Sequence, residues 1–570
     1  MTKNTSISSI SLGLDRLVAD PARLRGRRLG LLVNPASVTS GFVPARRALE
    51  GAGLDVRRLF GPEHGLTGAA QDMIAVEDGE APEEIPVVSL YGKTFADLIP
   101  KPEQLSGLDA VVSDLPDVGS RYYTFVWSTA LMMKACAAAK VPVFVLDRPN
   151  PLGGLVQEGN LQEEPLLSFI GLYPVPVRHA MTPGEMARFV NEEFHLGCDL
   201  TVIPMTTASG ALPPRTRLGE GVPWVLPSPN MPTANTALVY PGGCLFEGTN
   251  LSEGRGTTRP FELVGAPWID PVKAADRANG MGLPGVVFRP HLFRPTFHKH
   301  AGLDCGGLQL HVTDPAAFHS FETGLRLVQL FRDLDPSRFA WRTEEYEYRA
   351  DVPAIDLLAG TGRFRRLVDA RQPLDAWITT FPSDLARFAP LREKALLYPA
   401  QSGIPAVLVV GAHASGKTAV VLKLIEGLSA RGLKVASLKH TGHDHETDVP
   451  EKDSQRHAAA GANPALLVAG HRTAVHRRGD RVSLAELLER EAEGADVAVV
   501  EGYKAECAFP KVEVVRAATG RAPMRETDPD VFAVVTDRPT AHPSSVPRFA
   551  FGDEGRLLEL VAKRLGLERA

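Results

Sequence analysis

At 570 residues the chain is too long for one hydrophobic core and calls for roughly two to four domains. Hydrophobic residues at 44% and charged residues at 23% are ordinary for a soluble protein. A net charge of −5 with no basic stripe excludes a nucleic-acid-binding face. No apolar run reaches the roughly 20 residues that span a bilayer, so no membrane partner is expected. Residues 1–14 are polar and serine-rich, without the apolar core of a secretory signal. Cys136, Cys198, Cys244, Cys305 and Cys507 are odd in number and never spaced C-x-x-C. Free thiols and a cytoplasmic location are the expectation.

From residue 28 short apolar runs alternate with helix-like stretches. Runs at 29–33, 56–60, 110–113 and 141–146 predict strands, and 43–52 and 123–140 predict helices. This alternation implies βαβ units and an α/β fold on a parallel sheet. Each predicted strand stops on polar residues: Asn34, then Glu63 and His64, then Asp114, Asp117 and Arg121, then Asp147 and Arg148. Ligands of open parallel sheets bind beyond the carboxyl ends of the strands, so these residues are expected to converge on one rim. Thr182-Pro183-Gly184-Glu185 is a helix start, a capping box with proline at the first helical position. Residues 223–262 are dense in Pro, Gly, Asn and Thr and predict irregular structure over most of their length. Glu247, Asn250, Glu253, Arg255 and Arg259 would make this a polar binding loop. Beyond residue 286 a strand at 308–312 and an amphipathic helix at 318–333 indicate a smaller α+β subdomain reaching about residue 398. His298, His300 and His311 lack a carboxylate at fixed spacing, which argues against a metal site.

Several motifs in this half carry a resemblance. They are Phe60-Gly-Pro-Glu63-His64-Gly65, Asp114-Leu-Pro-Asp117-Val-Gly-Ser-Arg121-Tyr-Tyr123, Asp147-Arg148-Pro-Asn150, Pro229-Asn230-Met-Pro, Phe246-Glu247-Gly-Thr-Asn250, Gly254-Arg255-Gly256-Thr257 and Lys299-His300-Ala-Gly. In this order over residues 10–398 they resemble the NamZ-type exo-β-N-acetylmuramidases. The resemblance implies a Rossmann-like domain with a smaller domain, and release of terminal N-acetylmuramic acid from a muropeptide or N-acetylmuramyl sugar. It places the catalytic glutamate at Glu63. Glycoside hydrolysis usually needs a second carboxylate, for which Glu247, Glu253 and Asp117 all qualify, leaving the stereochemical course open. His64 adjoins the acid. Arg255 and Arg121 are candidates for the lactyl carboxylate, since a guanidinium fork grips a carboxylate in two places. Asn34, Asp147, Arg148, Asn230 and Asn250 complete the expected substrate-binding set.

A third region opens after Tyr398-Pro-Ala-Gln-Ser-Gly403. The apolar run 406–410 leads into Gly411-Ala-His-Ala-Ser415-Gly416-Lys417-Thr418 and a helix-like run to residue 430. Strand, G-x-x-x-x-G-K-T and helix in this order form a phosphate-cradling P-loop. Its N–H groups face phosphate oxygens, Lys417 meets the β/γ-phosphates, and the Thr418 hydroxyl can ligate Mg²⁺. Strands at 435–438 and 497–500 end in Lys439-His440 and Glu501-Gly-Tyr-Lys504. With Pro510-Lys-Val-Glu513 these resemble MobB, the GTP-binding protein of molybdopterin guanine dinucleotide synthesis. The resemblance implies a P-loop NTPase α/β fold, GTP with Mg²⁺, and a molybdopterin guanylyltransferase (MobA-like) partner. Glu501 would hold Mg²⁺ with Thr418, Lys439 and His440 would form a switch segment, and Asp537 would read guanine. Gly442 and Glu451 depart from the family pattern, and His440, His443, His445 and His457 could instead bind a metal.

The expected domains are therefore 10–260, Rossmann-like; 261–398, the smaller subdomain; 399–403, a linker; and 404–570, the P-loop domain. The competing reading makes the first 398 residues a non-catalytic scaffold beside an active GTPase.

Overall fold

The computed structural model describes residues 10–66, 74, 79–80, 85–207, 212–213, 215, 222–399, 404–412, 415–440, 465–469, 472–476, 484, 487–488, 492, 494–504, 509–517, 528, 530–537, 546–565 and 567. The chain divides into two compact units, residues 1–400 and 401–570.

In the first unit the apolar runs form strands β1 (Arg28–Val33), β2 (Asp55–Gly61), β3 (Pro86–Ser89), β4 (Ala110–Asp114), β5 (Val143–Leu146) and β6 (Leu200–Ile203). They pair in parallel in the order β3-β2-β1-β4-β5-β6, and Gly79–Glu80 pairs antiparallel with β3. This is the doubly wound order, reversing direction between β1 and β4. β4 and β5 are buried throughout, as strands covered on both faces must be. Helix α1 (Phe125–Ala139) is buried without interruption from Phe125 to Met133, which explains why it is apolar all round. Helix α2 (Pro183–Glu193) starts as expected. Glu185 N–H donates to Thr182 Oγ1 at 3.2 Å, and Thr182 N–H donates to Glu185 Oε2 at 3.0 Å.

The stretch 223–262 is more regular than its composition predicts, because helix α3 (Ala234–Gly243) and a 3₁₀ turn (Cys244–Gly248) run through it. Thr233 caps α3 by accepting from Thr236 N–H at 3.1 Å. Its glycines serve closeness instead of flexibility. A Cβ on Gly242 would stand 2.0 Å from the Ser320 carbonyl oxygen at the start of helix α4 (Ser320–Leu334). The smaller subdomain carries α4 and an antiparallel sheet of β7 (Leu263–Ala266), β8 (Val286–Phe293) and β9 (Cys305–Val312), in the order β7-β9-β8. Helix α5 (Phe381–Ala395) returns to α2, where Phe388 meets Phe189 edge to face.

The second unit holds a fully parallel sheet. Its strands are β10 (Ala406–Gly411), β11 (Val435–Lys439), β12 (Val497–Glu501), β13 (Lys511–Val515), β14 (Val531–Thr536) and β15 (Arg548–Phe549). Their order is β11-β12-β10-β13-β14-β15. Alternate residues of β10 supply two separate cores, Val407 and Val409 to one and Leu408 and Val410 to the other. Among the described residues no helix is long and apolar enough to cross a membrane, and Cys136, Cys198, Cys244 and Cys305 are buried free thiols.

Candidate active site and nucleotide-binding loop

Beyond β2 the chain turns over Pro62-Glu63-His64-Gly65, with His64 and Gly65 both left-handed at φ 69° and 73°. The turn tucks Glu63 into the wall of a cleft of about 490 Å³. Thr124, at the head of α1, donates its hydroxyl to Glu63 Oε2 at 2.6 Å.

Another wall comes from Glu247, Arg255 and Tyr346. Glu247, in the 3₁₀ turn, accepts from Arg255 Nη2 on Oε1 at 2.7 Å and from the Tyr346 hydroxyl on Oε2 at 2.6 Å. Gly254 and Gly256 flank Arg255 with φ of 80° and 79°, and added Cβ atoms would strike Leu263 O and Phe297 O. Only glycine lets this tight turn present the guanidinium. Behind it, Glu253 Oε1 lies 3.5 Å from Arg255 Nε and 3.2 Å from His298 Nδ1, and Lys299 Nζ donates to Oε2 at 2.9 Å. Burial works to raise the Glu253 pKa, but Lys299, His298 and Arg255 outweigh it and hold the group well below the carboxylate range. Burial pushes the phenols of Tyr123, Tyr240 and Tyr346 well up, so they are protonated at neutral pH.

Of the residues expected at this site, Glu63, His64, Asn230, Glu247 and Arg255 line the cleft. The others are occupied elsewhere. Asp114 receives a two-pronged ion pair from Arg148, at 2.6 and 2.7 Å, beside the point where strand order reverses. Asn34 donates to Pro227 O and accepts from Ala36 N–H, fixing its own loop. Asp147 accepts from Thr182 Oγ1, Gly184 N–H and the Tyr398 hydroxyl, and burial raises its pKa to about 6. Arg121 spends its guanidinium on the carbonyls of Asn160, Val175 and Leu358. Asp117 accepts from Gly119 N–H at 2.7 Å and faces buried His179 at 3.6 Å. Asn250 clamps the backbone of Arg338 and Ala340. Arg121, Asp117, Asn34, Asp147, Arg148 and Asn250 are thus absent from the lining of this cleft. The strand ends that point to a ligand are also where helix starts and loops need polar partners. Tyr123, Thr124, Tyr240, Tyr346 and Glu347 line the cleft and escaped the sequence reading. Tyr123 and Thr124 sit next to the Arg121 motif; Tyr346 and Glu347 carry no local signal. His300 Nε2 contacts Asn250 O at 2.8 Å, and no metal-binding group of His, Cys, Asp and Glu exists among the described residues.

In the second unit Gly411 and Gly416 adopt φ of 147° and 96° at the ends of the loop between β10 and helix α6 (Lys417–Ala430). Lys417 Nζ turns back onto the carbonyls of Ala412 and Gly411, at 2.6 and 3.2 Å. Burial lowers its pKa. Thr418 Oγ1 donates to Glu501 Oε2 at 2.9 Å, and Lys439 Nζ lies 3.5 Å from Oε1 of the same group. His440 N–H donates to Glu501 O, with its ring 4.4 Å from that of Tyr503. Ser415 Oγ is buried without a hydrogen-bond partner. These residues gather at the carboxyl ends of β10, β11 and β12. Asp537 follows β14 and accepts from Ala517 N–H at 2.8 Å. His443, His445, His457, Gly442 and Glu451 lie outside the described residues.

Residues 29–235 match the family model for the N-terminal region of exo-beta-N-acetylmuramidase NamZ, and residues 238–398 match that for its C-terminal region. Over 395 residues the chain is 42% identical to peptidoglycan beta-N-acetylmuramidase NamZ of Bacillus subtilis, covering 68% of this chain and 91% of that one. The chain belongs to the NamZ family. The NamZ region also superposes on a DUF1343 family protein from Bacteroides fragilis, with a TM-score of 0.62 and 30% identity over 68% of this chain and 99% of the other. Residues 406–537 match molybdopterin guanine dinucleotide synthesis protein B. This MobB region is 35% identical over 138 residues to the molybdopterin-guanine dinucleotide biosynthesis adapter protein of Haemophilus influenzae, 24% of this chain and 76% of the relative. A nucleotide-binding P-loop domain is therefore fused behind a NamZ glycosidase fold. The NamZ cleft straddles the border between its two family models. Glu63, Thr124 and Asn230 come from one side of it, and Tyr240, Glu247, Arg255 and Tyr346 from the other.

Proposed function

We propose that the NamZ region is an exo-β-N-acetylmuramidase that releases terminal N-acetylmuramic acid from peptidoglycan fragments. The observation that carries this reading is the placement of two carboxylates, Glu63 and Glu247, on one cleft. In glycoside hydrolysis one carboxyl protonates the departing oxygen while a second group acts at the anomeric carbon. Glu63, whose Oε2 accepts from Thr124, is the proton donor. Glu247 belongs to the second group. His64 and Asn230 face the sugar. Arg255, shared between two carboxylates, orients Glu247 and leaves the lactyl carboxylate to other donors.

The MobB region binds GTP, with the backbone of Gly411–Gly416 and Lys417 on the phosphates. Thr418 and Glu501, hydrogen-bonded to each other at 2.9 Å, are the residues that would hold Mg²⁺, which would neutralise phosphate charge. The region acts as an adapter for a molybdopterin guanylyltransferase.

The deciding experiment is turnover of a chromogenic β-N-acetylmuramide. The full chain is expected to cleave it, and Glu63→Gln to turn over about 100-fold more slowly or worse. A wild-type chain that leaves the substrate intact would instead support a binding module.

A further inference from the structure

Glu247 has both oxygens engaged, one by Arg255 and one by Tyr346. A carboxylate so held is poorly placed to attack carbon itself, since attack breaks one of those bonds. Tyr346, whose hydroxyl it grips, lines the same cleft as Glu63. The arrangement has the form of an activated nucleophile: a hydroxyl in hydrogen-bond reach of a base, and the base oriented by another group. The supports continue outward, from Arg255 to Glu253 and from Glu253 to Lys299 and His298. Tyr346 is itself fixed. It exchanges two backbone hydrogen bonds with Arg349 at 3.0 Å, across Glu347 and Tyr348, which are both left-handed at φ 47° and 65°. Non-glycine residues hold that conformation only where their surroundings impose it, and they collect at functional sites. The Arg342 guanidinium lies 5.0 Å from the centre of the Tyr346 ring, where it favours negative charge building on the phenol.

Resting on the muramidase reading, we infer that Tyr346 is the nucleophile of the NamZ site, with Glu247 as its base and Arg255 as the residue positioning that base. In the first step the Tyr346 oxygen bonds to the anomeric carbon and its proton passes to Glu247. The bond from that carbon to the leaving oxygen breaks, and Glu63 supplies the proton that oxygen needs. In the second step water, giving its proton to Glu63, bonds to the anomeric carbon. The aryl glycoside bond breaks and Glu247 returns its proton to Tyr346. Two displacements retain configuration, so the first product is the β-anomer. A phenol whose pKa is pushed up by burial does not ionise unaided, which is why it needs Glu247.

The test uses the full chain with 4-nitrophenyl β-N-acetylmuramide. Wild type is expected to release the β-anomer first, as followed by proton NMR. Nitrophenolate departs without acid help, so Glu63→Gln should complete the first step and stall at the second. A burst of about one nitrophenolate per chain and an N-acetylmuramyl adduct on the peptide containing Tyr346 are expected. Tyr346→Phe should abolish burst and adduct in that background, and alone slow turnover about 1,000-fold. Release of the α-anomer overturns the inference and leaves the muramidase reading standing. Retention with no burst and no adduct overturns it too, in favour of attack by the substrate's own acetamido group. Wild type that cleaves nothing overturns both. The wild-type and Glu63→Gln measurements decide the matter even if Tyr346→Phe fails to fold.

Discussion

Glu253 is enclosed by protein yet held ionised, because Lys299, His298 and Arg255 close on it. Its folded pKa lies below its unfolded value, so the stability it adds is present above the ordinary carboxylate range. That stability is lost as pH falls below that range and through the depressed folded pKa. Glu253→Gln leaves buried cations short of a partner and should cost about 3 kcal/mol at pH 7. It should also flatten the acid limb of the stability curve; urea unfolding at pH 7 and pH 4 measures both. At this scale the sequence reading named Glu63, whose position after a strand marks it and which lines the cleft, together with Asp147 and Arg121, which do not line it. A polar residue at a strand end looks the same whether it meets substrate or caps a helix. Only the tertiary partners, Thr182 and Tyr398 for Asp147 and three carbonyls for Arg121, tell them apart.

Among elements, the strands predicted at 29–33, 56–60, 110–113 and 141–146 match to within about two residues, because buried parallel strands need continuous apolar runs, whereas the short β3 and β6 were not predicted. Nor was helix α3. Pro241, Gly242 and Gly243 read as loop formers, whereas in place Gly242 admits the backbone of α4 and Gly243 sits against Phe261. The consequence separates propensity from packing. Replacing an interior helix glycine by alanine ordinarily stabilises by up to about 1 kcal/mol. Gly242→Ala should do the reverse and destabilise by about 1–3 kcal/mol, since the new methyl meets backbone that cannot swing aside. Gly280→Ala, at the end of the helix Pro271–Gly280 with nothing within 4 Å of its added Cβ, is the control and should be neutral or mildly stabilising. Thermal melts of the two variants against wild type make the comparison.

For the molecule as a whole, the α/β class, the two families and the P-loop all showed in the sequence, because periodicity and short fixed-spacing motifs are local. Strand order and the position of the cleft did not. Of the polar strand ends expected to share one rim, Asp114 and Arg148 pair with each other, and only Glu63 and His64, beyond β2, line the cleft. Each unit has its own core clusters, so calorimetry should resolve two unfolding transitions. GTP with Mg²⁺ should raise only one of them. Lys417→Ala should abolish that shift and leave muramide turnover within twofold or so, the lysine being a phosphate ligand and no part of the sugar site.

The NamZ cleft takes Glu63 from one family model and Glu247 with Tyr346 from the other. Neither piece inherits a working half. A gene broken near residue 236 would encode two inert proteins, so the pair has to be passed on together, whereas the MobB region can be gained or shed without disturbing a single wall of that cleft.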